Sequence, residues 1–367
     1  MRRERIDLSS PRARELRERI IRETFVTEGT MVAFPLCFPG ASAPIPPDES
    51  HITALDVTPD GTVYIGTSGR RVHLLVGAFH GATGAVFDMG AVEGADRCVA
   101  IRCGRSRFIA FVNGPDGGRI IRGRLYSMPH DLIQEWGFRR EPFEDLGELV
   151  EGERIVHAVT DERREKAIVS TEGHLAVVDI ESGEIEVVGE IPGSGRLALG
   201  SRGGVFGLDE GESLWRYDTR DGKLDRRAVG LPDGSWGRYP LMWARDPVDG
   251  RLYTADDEGR LFSFSEDEGR FSPPLGRVPL APVGPMAVTF DGRLFGMCGE
   301  GIANLFCYNP ATGELRKLGA PVSVIERRRY GYAFGDAAVG RDGQIFFGEN
   351  DNLGHLWIYF PRIQRIT

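Results

Sequence analysis

Three features of the sequence predict an all-β protein built as a closed ring of repeated four-stranded units. Short β-rich runs recur with a period of about 42 residues. The runs are separated by Asp-Gly, Thr-Gly and Ser-Gly pairs, which supply the positive φ angles that tight hairpins need. The last unit is one run short, and a β-rich segment near the N-terminus is available to fill the gap.

The elements follow in order. Residues 1–24 form an extension that begins MRRERIDLSSPRARELRERI. Ser10-Pro11 reads as an N-cap followed by a proline at N1, and Leu16, Ile20 and Ile21 share one face, so a short helix is expected over 11–23. The basic start is not followed by an apolar run, which argues against a secretory signal. The segment TFVTEGTMVAFPLCF then offers the missing strand. Residues 51–94 hold four runs with a PDG turn after the first and a TG turn before the last. Residues 95–152 repeat the pattern with an insertion, SMPHDLIQEWGFRREP, expected to form a short helix around His130–Trp136. Units at 153–193, 194–234, 235–281 and 282–324 are more regular, and the unit at 325–367 stops after three runs.

Seven such units, closed by pairing the two ends of the chain, resemble a seven-bladed β-propeller spanning 25–367. Such a ring leaves no strand edge open. The likeness lies in DG turns, third strands rich in aromatics, and TG turns. No W-D dipeptide or regular kelch Gly-Gly pair points to one propeller family. Two β-sandwiches are the competing fold, but no linker marks a boundary between them.

Composition narrows the function. The chain has 367 residues and a formal net charge of −9, which disfavours a nucleic-acid binder held by bulk attraction to phosphate. No apolar run is long enough to span a bilayer, so no membrane partner is expected. Five cysteines without a CxxC pair suit a reducing setting, and a cytoplasmic location is expected.

In a propeller, position in the repeat becomes location. With strands A to D running outward from the axis, the D–A and B–C loops share one face with the channel mouth. Those loops are longer here and richer in His, Arg, Tyr and Trp, so that face is expected to carry function. The loop LPDGSWGRYPLMW brings Trp236, Arg238 and Tyr239, and VIERRRYGYAF brings Arg329, Tyr330 and Tyr332. Arg97 and Arg196 stand at the starts of innermost strands. Guanidinium groups bind carboxylates in two-point fashion and aromatic rings stack on sugars, so these residues are candidates for binding an anionic ligand. A salt-bridged rim is the alternative, with Asp48, Glu49, Asp96, Glu153 and Glu326 as partners.

His73, His174 and His355 each precede a leucine at the start of strand C. They are candidate substrate ligands at the mouth. Because Ser213, Arg260 and Asn304 fill the same slot in other units, a structural cap is the competing role. His51 and His157 begin innermost strands and can approach the axis. Glu349, Asn350, Asp351 and Asn352 form an oxygen-rich loop in which a divalent cation is a candidate. No P-loop, Rossmann fingerprint, HExxH or GxSxG occurs.

The residue types at the mouth are similar to those of propeller polysaccharide and oligosaccharide lyases. That resemblance implies a carbohydrate-active enzyme cleaving uronate-containing oligosaccharides by β-elimination. Arg238 and Arg329 would hold the carboxylate, and Tyr239, Tyr330 and His157 would serve as base and acid. A non-catalytic scaffold docking a protein partner on the same aromatics is the alternative, and a metal-dependent hydrolase or lactonase is a third.

Overall fold

The computed structural model describes residues 11, 26, 28–36, 45–81, 83–126, 142–161, 165–209, 212–323 and 329–362. The expected helices at 11–23 (save residue 11) and around 130–136 lie outside them, as do Arg327 and Arg328 and the side chain of Arg329. Within them the protein is all-β, with a 3-10 turn at Pro47–Glu49, in a propeller arrangement. No helix among the described residues is long and apolar enough to cross a membrane.

Innermost strands His51–Val57, Arg97–Cys103, Ile155–Asp161, Ala198–Leu199, Ala244–Arg245, Val283–Val288 and Phe334–Val339 stand around a central channel. Each leads outward through antiparallel neighbours in sequence order, as the short Asp-Gly and Thr-Gly turns dictate. The apolar residues of each sheet are buried on both faces. One core joins Ala54, Tyr64 and Leu74 to Cys98, Phe108 and Ala110 of the next unit. Another joins Ile52, Val63 and Ile65 to Phe346, Leu356 and Ile358. Each fully buried Leu, Ile or Phe contributes roughly 1.5–3 kcal/mol, so these inter-sheet seams hold the ring together.

The strands do not fall into seven separate sheets. Five sheets of four or five strands stand alone, whereas the strands of residues 51–92 and 97–148 form one eight-stranded sheet. The junction is a single backbone pair, Ser68 with Arg97. Side chains stitch it: Thr53 Oγ1 donates to the Cys98 carbonyl at 2.6 Å, and Ser68 Oγ accepts the Cys98 N–H at 3.2 Å. Gly66 sits at this seam because a Cβ there would lie 2.2 Å from Cys98 Sγ.

The expected closure is present. Thr30–Pro35 pairs antiparallel with His355–Phe360, completing the sheet of Phe334–Val339 and Ile345–Glu349. Glu28 anchors the entering strand through Arg293 at 3.4 Å and Arg316 at 2.9 Å.

Candidate functional site: the mouth of the axial channel

A bulge marks the start of several innermost strands, between Ile52 and Ala54, Cys98 and Ala100, Ile155 and His157, and Phe334 and Asp336. Bulges break the ladder and re-aim the residues beside them. Here they set the rim of a cavity of about 770 Å³ on the face of the D–A and B–C loops. Arg97, Arg154, Arg196, Arg238, His157 and Tyr239 line it, with Asp96 and Glu172 as its carboxylates. A second compartment of about 390 Å³ continues toward the opposite face. His157 and Arg196 line both and form the waist between them.

His157 is buried, and its Nδ1 accepts the backbone N–H of Leu197 at 3.1 Å. That bond leaves Nε2 as the protonated nitrogen of the neutral ring. Burial first, then the fields of Arg196 and Arg102, push its pKa well below the usual imidazole range. The ring is therefore a hydrogen-bond donor at the waist. The base role expected for it is corrected on this ground, because its only acceptor nitrogen is occupied. Arg196 donates to the Gly335 carbonyl at 2.7 Å and lies 3.8 Å from Asp336. Burial lowers its pKa, and Asp336 opposes that shift while Arg102 and Arg97 add to it.

Tyr239 is held by its backbone N–H on Asp257 at 3.1 Å and donates its hydroxyl to Glu300 at 2.9 Å. The Glu300 bond raises its pKa, so the phenol keeps its proton. The Arg238 guanidinium lies 5.2 Å above the Tyr239 ring. Among the described residues, Arg97, Arg154 and Arg238 have no carboxylate within ion-pair distance, and the salt-bridged rim is not found there. Glu49 and Glu153, expected as rim partners, serve the strand-C slot instead.

That slot explains the three histidines. His73 Nε2 lies 2.8 Å from Glu49 and its Nδ1 3.3 Å from Asp88. His174 Nδ1 donates to Glu153 at 2.7 Å, and His355 Nδ1 to Glu349 at 2.6 Å. Arg119 meets Asp145 at 2.7 Å and Arg260 meets Asp256 at 2.6 Å in the same slot. None of His73, His174 and His355 lines the mouth cavity, so their expected place among substrate ligands is not supported by position. Trp236 is turned away too. Its Nε1 donates to the Pro232 carbonyl at 2.9 Å, and its ring packs on Phe262 and Phe271. Tyr330 and Tyr332 also stand off the cavity. Tyr332 donates its backbone N–H to Glu349 at 2.8 Å with its side chain exposed.

Glu349 is completely buried and accepts from His355, Tyr332 and Trp357 Nε1, so its carboxylate is engaged inside the sheet rather than offered to a loop-bound cation. Among the described residues no group of three or more His, Cys, Asp or Glu side chains is placed to hold a metal.

Arg154 and Asn113 were not singled out from the sequence. Arg154 occupies the position of Arg97 one unit later, directly before the innermost strand, and that repeat register is the signal that finds it. Asn113 donates to the Ile155 carbonyl at 2.8 Å and accepts the Ile155 N–H at 2.9 Å, tying the second unit to the third beneath the rim.

No protein-family model matches the chain, and no curated protein matches its sequence. Among solved structures it is similar to virginiamycin B lyase from Staphylococcus aureus, with a TM-score of 0.65 and 10% identity over 91% of this chain and 100% of that one. It is similar to a catalytically inactive histidine-to-alanine variant of that lyase with quinupristin, with a TM-score of 0.63 and 11% identity over the same shares. The extracellular domain of a hybrid two-component system from B. thetaiotaomicron gives a TM-score of 0.56 and 11% identity, over 93% of this chain and 40% of that one. At such identities the likeness is one of fold, a β-propeller like that of the lyase.

Proposed function

We propose that the channel mouth binds a small carboxylate-bearing substrate and that the protein is a propeller lyase. The observation that carries this is the set of four guanidinium groups, Arg97, Arg154, Arg196 and Arg238, on one cavity that holds two carboxylates. A cationic site of this kind binds a substrate carboxylate and stabilises the charge that develops when the neighbouring C–H bond breaks. In the elimination the C–H electron pair becomes the new C=C bond, the C–O bond to the leaving group breaks, and the leaving oxygen takes a proton. Tyr239 lines the cavity and is the candidate proton donor, a role that requires its hydroxyl to turn from Glu300, to which it donates at 2.9 Å. His157 supplies an Nε2–H to the developing negative charge, and the proton acceptor is one of the carboxylates of the same cavity, Asp96 or Glu172. On this reading the eight-stranded sheet is divided into two blades at the Ser68–Arg97 pair, beside the five sheets that stand alone.

Uronate-bearing oligosaccharides are the first substrate class, because arginine forks suit uronate carboxylates. Quinupristin is a second probe, taken from the structural neighbour solved with it and not from the arginine set. The test is a screen of both for the ultraviolet absorbance of a new conjugated double bond. A rise in the wild type that is lost in Tyr239→Phe and Arg238→Gln supports the reading. Silence with folded protein across both sets removes the lyase assignment.

A further inference from the structure

The waist has donors that the protein itself does not use. His157 is 8% exposed, its Nδ1 is taken by Leu197, and its Nε2–H has no protein partner among the described residues. It borders both compartments. Arg196 spends one nitrogen on the Gly335 carbonyl and stands 3.8 Å from Asp336. Asp336 is itself engaged by the backbone N–H groups of Leu55 at 2.9 Å and Ala337 at 3.0 Å. Arg102, behind them, is committed to backbone carbonyls, with its Nε and Nη2 on Ala158 at 3.0 and 2.6 Å. Its positive charge is therefore fixed in place without a carboxylate partner in hydrogen-bond contact.

Two arginines and an imidazole N–H thus converge on one narrowing with two carboxylates nearby, Asp336 and Asp56, each already accepting two backbone N–H groups. The Arg196 side chain is 22% exposed and both it and His157 border the channel, so their unspent N–H groups face the channel space. An anion there accepts charge-assisted hydrogen bonds from donors already gathered in one place. We infer that the waist is a seat for a small oxyanion, a carboxylate or a phosphate, held by His157 Nε2–H and the remaining N–H groups of Arg196. The acidic group of the substrate then rests at the waist, while Arg97, Arg154 and Arg238 steer it from the rim. This deepens the mouth reading and rests on it.

The test is calorimetric titration of the full chain with acetate and, separately, inorganic phosphate, which stand for the two sources of this chemistry. The tighter probe identifies the source. His157→Asn keeps an acceptor for the Leu197 N–H and removes the group at Nε2, and Arg196→Gln removes the charge. Each is expected to weaken binding by about tenfold or more, the scale of a hydrogen bond to a charged group. The exposed-rim variants Arg97→Gln and Arg238→Gln are expected to change it by less than about threefold, as exposed charges contribute little. In the wild type, the Nε2 resonance of His157 is expected to move on adding the probe, a readout that does not depend on either waist variant folding. Binding that depends on the rim variants and ignores the waist variants overturns the waist seat and leaves the mouth reading standing. If neither probe binds the wild type, the waist seat falls, and the mouth reading is decided by the absorbance screen alone.

Discussion

Leu197 donates its backbone N–H to Nδ1 of His157 at 3.1 Å, and this one bond decides what the imidazole at the channel waist can do. The ring is neutral and its proton sits on Nε2, so it gives hydrogen bonds into the channel and takes none from it. Its folded pKa lies well below the ordinary value, first through burial. The unfolded chain takes up a proton near pH 6.5 and the folded chain does not. Stability from this group is therefore full above about pH 6.5 and falls by about 1.4 kcal/mol per pH unit below it, until the folded pKa is reached. Urea unfolding of the wild type and His157→Asn as a function of pH checks this. The two curves should converge as pH falls, and parallel curves would show that His157 titrates normally.

The bundle of Glu49, Arg71 and His73 titrates in the opposite sense at its histidine. Glu49 is completely buried and receives Arg71 Nε at 2.9 Å and Nη2 at 3.0 Å. The Arg71 hydrogen bond holds its pKa at about 2 against the opposing effect of burial. Burial alone would lower the His73 pKa, but hydrogen bonds to Asp88 and Glu49 outweigh it and the pKa is raised. The Glu49 contribution is present above about pH 4.5 and is lost as pH falls toward 2. The His73 contribution is present below about pH 6.5 and is lost as pH rises through the raised value. Glu49→Gln should cost about 3 kcal/mol near neutral pH, as expected when one partner of a buried charge cluster is removed. It should also return the His73 pKa toward the ordinary range, which a proton-resonance titration measures.

These two sites show what the sequence made legible. The repeat, its turns and the closing N-terminal strand could be read because Asp-Gly and Thr-Gly hairpins are local signals. The recurrence of a polar residue before Leu in strand C was visible in His73, His174 and His355. Its partner was not, because Glu49 and Glu153 approach from the preceding loop and Glu349 from the neighbouring strand. At the mouth, Arg97, Arg196, Arg238, Tyr239 and His157 could be placed by their position at strand starts or in long loops. Whether a long-loop side chain faces the channel was not legible: Trp236 and Tyr239 lie three residues apart, yet one packs on Phe262 and the other lines the cavity. The fusion of two units into one sheet rests on the single pair Ser68 and Arg97, a tertiary contact with no sequence signature.

The seam between the last and first repeat units depends on Gly348. A Cβ there would lie 2.3 Å from Cγ2 of Ile52, closer than packed atoms come. Ile52 is completely buried, so the methyl cannot swing into solvent. Gly348→Ala should destabilise by about 1–3 kcal/mol through overpacking. Because the nearest atom is the Cγ2 methyl, with Cβ of Ile52 next at 2.9 Å, Ile52→Ala in the same chain should recover part of the loss, whereas Ile52→Val keeps that methyl and should recover little. A double-mutant cycle by chemical denaturation measures the coupling, and simple additivity would show that the two residues do not meet.

Ring closure is the final test of the architecture. Thr30–Pro35 supplies the outer strand of the last sheet, and Tyr359 donates its hydroxyl to the Glu28 carbonyl at 2.9 Å. Glu28 also meets Arg293, whose side chain is 2% exposed and which donates to Asp291 as well. Removing residues 1–36 would uncover the His355–Phe360 edge, a row of unpaired backbone groups that invites edge-to-edge association. The truncated chain should melt lower and elute as larger species in size-exclusion chromatography. Glu28→Gln should do neither to the same degree, since it leaves the strand in place and weakens only the Arg293 and Arg316 contacts. It should lower stability by about 1–3 kcal/mol, because Arg293 is buried and would keep Asp291 as its remaining carboxylate. A truncated chain that stays monomeric with an unchanged melting temperature would mean that the N-terminal strand does not close the ring in solution.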